Sequence, residues 1–115
     1  MNVPYIQTKT NCSVSAEQEK ALKARFGKTI ELLPGKTERW LMLDFEDHCR
    51  MWFGGSDAPC AFLEVKIFGS AGGSSYDQLT AAITEDIGEV LGVSADRVYV
   101  KYEEIDHWGW NRSNF

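Results

Sequence analysis

Apolar residues along this chain switch between strand-like and helical spacing, and the switches divide it into two similar halves. Tyr5 to Asn11 is strand-like. Ser15-Ala16-Glu17-Gln18 is a capping box, in which the serine and glutamine side chains each accept a hydrogen bond from the other residue's backbone N–H, so a helix opens there. Leu22, Phe26, Ile30 and Leu33 recur at helical spacing as one apolar stripe. Gly27 weakens this helix slightly and Pro34-Gly35 stops it. From Trp40 to Glu46 the pattern alternates, with Leu41, Leu43 and Phe45 on one face.

The second half repeats the plan. Ala61 to Phe68 reads as a strand with Leu63, Val65 and Ile67 on one face and Glu64 and Lys66 on the other. A glycine-rich loop, Gly69 to Gly73, leads to a second capping box at Ser75-Tyr76-Asp77-Gln78. Tyr76, Leu79, Ile83, Ile87 and Val90 form the next helical stripe, and Gly92 is its expected C-cap. Arg97 to Glu103 closes the half as a strand with Val98, Val100 and Tyr102 on the apolar face.

The order β-α-β, linker, β-α-β predicts an α+β fold. Each unit makes a parallel pair with a right-handed crossover. Together they give a four-stranded mixed sheet with both helices on one face. The other face would carry Glu64, Lys66, Phe68, Arg97, Tyr99 and Lys101, a mixture that fits neither solvent nor core. It points to a covering partner, most simply another copy of the chain. Arg50-Met51-Trp52-Phe53 and Trp108-Gly109-Trp110 are expected to be short extra strands that pair at such edges.

Length and composition narrow the function. A chain of 115 residues predicts one domain with a real core, spanning residues 1–115. The formal net charge of -5 offers no basic face for nucleic acid, and no apolar run is long enough for a membrane span. No secretory signal is apparent, and the odd count of 3 cysteines reads as free thiols in a reducing, cytoplasmic compartment. Cys60 lacks a Cys-x-x-Cys partner and reads as a small buried residue at a strand start. His48, Cys49, Asp44 and Asp47 match no structural zinc spacing, so no metal and no cofactor is expected.

Several pieces in order carry a family resemblance: Pro4 with Thr10-Asn11, Pro34-Gly35-Lys36, Phe53-Gly54-Gly55-Ser56, Pro59-Cys60-Ala61, Asp96-Arg97-Val98-Tyr99-Val100, and the closing Gly109-Trp110-Asn111-Arg112-Ser113-Asn114-Phe115. From Pro4 onward the chain resembles the macrophage migration inhibitory factor family of the tautomerase superfamily. That resemblance implies a homotrimer, with three sheets around a central channel and helices outside. It implies keto–enol tautomerisation of aryl pyruvates and similar small carbonyl acids, with an amino-terminal proline as general base. Relatives include secreted cytokines, a role that does not transfer by fold.

Residue by residue, the resemblance implies that Pro4 is the base and that Lys36 pairs with the substrate carboxylate. It implies that Tyr99 is an aromatic and polar wall supplied by a neighbouring subunit. Phe68 stands where the family usually has an aliphatic residue whose backbone N–H meets substrate. Lys101 stands where mammalian relatives carry asparagine, and adds a cation. Trp110 and Phe115 are apolar walls for an aromatic ring. Taken by themselves, Pro4 is a strand-starting proline, Lys36 a solvated loop lysine, and Tyr99, Trp110 and Phe115 packing residues.

The departure from the family pattern is Met1-Asn2-Val3, which stands before Pro4. A proline inside a chain is a tertiary amide with no basic nitrogen, and Asn2 is too large for routine methionine removal. Two expectations follow: an enzyme whose Pro4 is exposed as the terminus, or a non-catalytic ligand-binding or protein-interaction trimer in which Pro4 stays an amide.

Overall fold

The computed structural model describes residues 3–115, so Met1 and Asn2 of the expected extension lie outside the described residues. Strand β1 (Pro4–Thr10) leads to helix α1 (Ala16–Thr29) and strand β2 (Met42–Glu46). Strand β3 (Ala61–Phe68), helix α2 (Gly73–Leu91) and strand β4 (Val98–Ile105) repeat the unit. A short hairpin of β5 (Gly109–Trp110) and β6 (Ser113–Asn114) follows. The four long strands form one sheet in the order β2-β1-β3-β4. β1 is parallel to β2, antiparallel to β3, and β3 is parallel to β4, so the mixed sheet of two β-α-β units is as expected.

The predicted apolar stripes meet between helices and sheet. Leu22, Phe26, Ile30 and Leu33 from the first unit pack with Leu79, Ile83 and Ile87 from α2. They cover Ile6, Ala61, Leu63, Val65 and Ile67 of the central strands. Between the helices, the buried Asp86 carboxylate accepts from Thr29 Oγ1 at 2.7 Å and from Arg25 at 3.4 Å. These bonds offset the cost of burying a charge.

The first capping box forms as read: Ser15 Oγ accepts the Gln18 N–H at 3.1 Å, and Gln18 Oε1 accepts the Ser15 N–H at 2.9 Å. The second does not. α2 begins at Gly73, with Gly72 at φ 90° as an N-cap that makes no side-chain bond. Ser75 therefore lies inside the first turn. Gly73 and Ser74 let the helix start earlier, and the Tyr76 hydroxyl ties the loop down by accepting the Ala71 N–H at 3.1 Å and donating to Glu104 at 2.6 Å. At the other end Gly92 is left-handed, as predicted, with φ 72°.

Three boundaries also differ. α1 ends at Thr29, short of Pro34-Gly35, and a 3-10 turn, Ile30–Leu32, carries the chain on to an extended Leu33. Trp40 and Arg97 end short 3-10 turns, Glu38–Trp40 and Ala95–Arg97, instead of opening strands. The Trp40 and Leu41 N–H groups bond back to Thr37 and Glu38, which removes them from the sheet ladder. The expected strand at 50–53 reduces to a bridge between Phe53 and Ser56, since among the described residues no strand lies beside 50–52. The tail does form strands, but they pair with each other.

The open face of the sheet is ordered in rows. Glu46, Lys9, Phe62 and Tyr99 align across the strands; so do Asp44, Gln7, Glu64 and Lys101, then Met42, Tyr5, Lys66 and Glu103. Opposite charges neighbour one another along these rows, with Lys9 3.9 Å from Glu46 and Lys101 3.6 Å from Glu64.

Candidate active site

Pro4 opens β1 beside Ile67 of β3. In this chain its ring nitrogen is bonded to the carbonyl carbon of Val3 and is therefore an amide. Val3 is itself 5% exposed, and its carbonyl accepts the Phe68 N–H at 3.3 Å. The Phe68 backbone donor and the Pro4 nitrogen thus flank the same peptide group.

A cavity of about 530 Å³ opens over this point. Val3, Pro4 and Tyr5 line one side, Arg39 and Trp40 another, and Trp108, Gly109 and Trp110 a third. Its size and aromatic walls suit a small aromatic ligand. The Trp40 and Trp110 rings meet edge to face with centroids 5.1 Å apart. Trp110 stacks on Phe115 at 6.4 Å, and Phe115 leans on Phe68 at 5.3 Å. A continuous aromatic path therefore runs from the 3-10 turn to β3.

Local sequence explains the path. Asn111 and Arg112 both have positive φ, 51° and 78°, which is the backbone of a type I′ hairpin turn. That turn folds the terminus back, so the Phe115 N–H donates to the Trp108 carbonyl at 3.1 Å. Gly35 at φ 76° reverses the chain after the 3-10 turn Ile30–Leu32, and the Lys36 N–H donates to the Leu33 carbonyl at 3.0 Å; Lys36 is not among the described residues that line the cavity. Lys36 is buried, not solvated, and that burial lowers its pKa.

Tyr5 keeps its proton. Its hydroxyl donates to Asp44 at 2.7 Å, and this bond to a carboxylate, with burial and the Asp44 and Glu64 charges, pushes its pKa up to about 12. The phenol is committed to Asp44 at neutral pH.

Pro4 and Trp110 share one cavity, with Phe68 and Phe115 joined to it by ring contacts. Tyr99 and Lys101 lie elsewhere on the protomer. Tyr99 is opposite Phe62, while Pro4 is opposite Ile67, five residues further along β3, or roughly 16 Å at strand spacing. Tyr99 borders a separate hollow of about 260 Å³ with Met51, Trp52 and Phe53. Lys101 is engaged by Glu103 at 2.9 Å, and that hydrogen bond and charge hold its ammonium above the usual lysine pKa.

The lining also includes Arg39, Trp40, Leu41, Met42 and Trp108, which the family pattern does not mark as site residues. The hydrophobic pattern puts Trp40 on a strand and Trp108 at an edge. The available signal was the parallel pairing of β1 with β2, which brings the start of the second strand beside Pro4. No group of three or more His, Cys, Asp or Glu side chains among the described residues could hold a metal ion.

The family model for macrophage migration inhibitory factor matches residues 3–115. The solved structure of MIF2 from Leishmania major is 33% identical, with a TM-score of 0.92 over 98% of this chain and 97% of that one. The homologue from Prochlorococcus marinus is 31% identical, with a TM-score of 0.88 over 96% of this chain and 98% of that one. By sequence, macrophage migration inhibitory factor of Xenopus laevis is 28% identical over 90 residues, 76% of this chain and 78% of that protein.

Proposed function

The chain belongs to the macrophage migration inhibitory factor family, and from that premise we propose that it is a keto–enol tautomerase for phenylpyruvate-like acids, with Pro4 as base when its nitrogen is a free amine. The carrying observation is the cavity over Pro4, walled by Trp40, Trp108 and Trp110. A neutral secondary amine there takes the proton from the carbon beside the substrate carbonyl. The electron pair moves into a carbon–carbon double bond, and the oxygen receives a proton to give the enol. The reverse sequence restores the ketone.

The other residues take named roles in this reading. Trp110 and Phe115 hold the aryl ring. Lys36 attracts the carboxylate, and the Phe68 N–H meets it once Val3 is absent. Tyr99 and Lys101 reach a site only from a neighbouring subunit, so the active form is a homotrimer of single-domain protomers in the cytoplasm. The ordered open sheet face supports an assembly of this kind, since its charges and aromatics lack a cover within one protomer.

A second reading is favoured by one observation: Val3 is buried and its carbonyl occupies the Phe68 N–H. With Val3 in place, Pro4 has no basic nitrogen, and the trimer binds ligands or partners without catalysis. Enol–keto absorbance with phenylpyruvate, measured on a form that starts at Pro4, tests the first reading. No turnover above the uncatalysed rate would leave the second.

A further inference from the structure

The cavity over Pro4 contains one charged lining side chain, and it is cationic. Arg39 lies at the wall formed by Trp40, with its guanidinium carbon 5.1 Å from the Trp40 ring centroid. Among the described residues no aspartate or glutamate lines the cavity, in a chain with 17 acidic residues and a net charge of -5.

The lack of neutralisation has a local cause. Glu38, next to Arg39 in sequence, is drawn to α1, where Lys23 holds its carboxylate at 3.2 Å. Gly27 permits this approach: a Cβ there would lie 2.5 Å from Glu38 Oε2. Some surface cations have carboxylate partners, as Lys9 has Glu46, Arg25 has Asp86 and Lys101 has Glu103. Among the described residues Arg39 forms no such pair, and its contact is the indole face. A guanidinium stacked on an aromatic ring keeps its in-plane N–H edge available for a carboxylate, and the stack limits the rotamer freedom lost on binding.

We propose that Arg39 is a specificity-determining residue that binds a second anionic group on the substrate, so that the site prefers aryl keto acids whose ring carries a carboxylate. The assignment of substrate class rests on the tautomerase reading, while the anion site itself does not need turnover. A ligand with its keto-acid end near Pro4 would lay its ring against the Trp40–Trp110 pair, which lines the cavity in edge-to-face contact. Its distal substituent then reaches the wall where Arg39 is stacked.

Binding by the full chain is the direct test, using 4-carboxyphenylpyruvate against phenylpyruvate in calorimetry or indole fluorescence. The dianion is expected to bind roughly tenfold or more tightly at low salt, the scale of a charge-assisted pair. The preference should shrink as salt is added. Arg39→Ala should abolish the preference and Arg39→Lys should retain part of it, with thermal unfolding confirming that both fold. Equal affinities for the two acids, no binding of either, or a preference that survives Arg39→Ala would overturn the proposal. Turnover in the form starting at Pro4 separates this result from the tautomerase reading. Dianion preference without turnover refutes that reading and keeps the anion site; turnover without preference does the reverse.

Discussion

Arg97 both stacks on Phe53 and bonds to it: the guanidinium carbon is 5.2 Å from the ring centroid, and Nη1 donates to the Phe53 carbonyl at 3.2 Å. The same head group donates to the carbonyls of Ser56 at 3.1 Å, Ala58 at 3.0 Å and Pro59 at 2.9 Å. One side chain thus holds the glycine-rich segment between β2 and β3. Phe53 in turn lies against Tyr99, with ring centroids 4.7 Å apart.

Arg97→Ala should therefore release this segment. We expect a loss of about 1–3 kcal/mol in urea unfolding, since charged donors to several carbonyls disappear together. Near-ultraviolet circular dichroism should weaken as Phe53 leaves Tyr99. Arg97→Lys can replace a single point of contact and should recover only part of the loss. A change under about 0.5 kcal/mol for the alanine variant would show that turns at Gly54 and Gly55 hold the segment without help.

The fold was legible because its apolar periods are clean. Leu22 and Phe26 lie on one face of α1, Ile30 and Leu33 carry the stripe on through the 3-10 turn that follows, and all four are fully buried. The failures are local choices between near-equal alternatives. Whether α2 starts at Gly73 or after Ser75 depends on the Tyr76 hydroxyl finding the Ala71 N–H and Glu104, the latter far off in the chain. The site was half legible. Pro4 and Trp110, which line the cavity, came from the family motif, whereas Lys36 is not among the described residues that line it, and Arg39 and Trp40 became visible only when a 3-10 turn removed Trp40 from the ladder. Nor does the order of residues reveal that Tyr99 and Pro4 lie apart in one protomer, because a motif gives order without distance.

The open face of the sheet predicts the assembly. One of its rows, Glu46-Lys9-Phe62-Tyr99, ends on two aromatic rings, and Tyr99 is 59% exposed. A closed ring of three would cover these rows and leave fewer free edges. Light scattering should give a trimer at micromolar concentration. Tyr99→Asp should shift it towards monomer, because a buried carboxylate would then face Phe62. A wild-type monomer under these conditions would remove the argument for a shared site.

Burial of Lys36 gives a pH dependence with a definite sign. The ammonium is the form that attracts a carboxylate, and it is lost as pH rises. Burial lowers the pKa from the usual 10.5, so the loss begins at lower pH than for an exposed lysine. In the form starting at Pro4, KM for phenylpyruvate should climb on the alkaline side before pH 10.5 is reached. Lys36→Arg, which stays charged, should remove that limb. An unchanged alkaline profile in the arginine variant would exclude Lys36 as the carboxylate partner.

The acid side of the profile tests Pro4. As a terminal amine it would titrate near the unperturbed α-amino range of roughly 7.7–8.0, and the cation of Arg39, which lines the same cavity, should lower that value. Lys101 contributes little to this within the protomer, because Glu103 and Glu64 hold it. The neutral amine is the base, so kcat/KM should fall as pH drops through its pKa, by about tenfold per unit below it. Removing residues 1–3 has a second effect, since the Phe68 N–H loses the Val3 carbonyl and becomes free to meet substrate. The full chain lacks both the amine and that donor. Its phenylpyruvate rate should lie roughly 10²–10⁴-fold below that of the form starting at Pro4. Equal rates, with residues 1–3 shown intact by mass spectrometry after the assay, would mean that another group takes the proton.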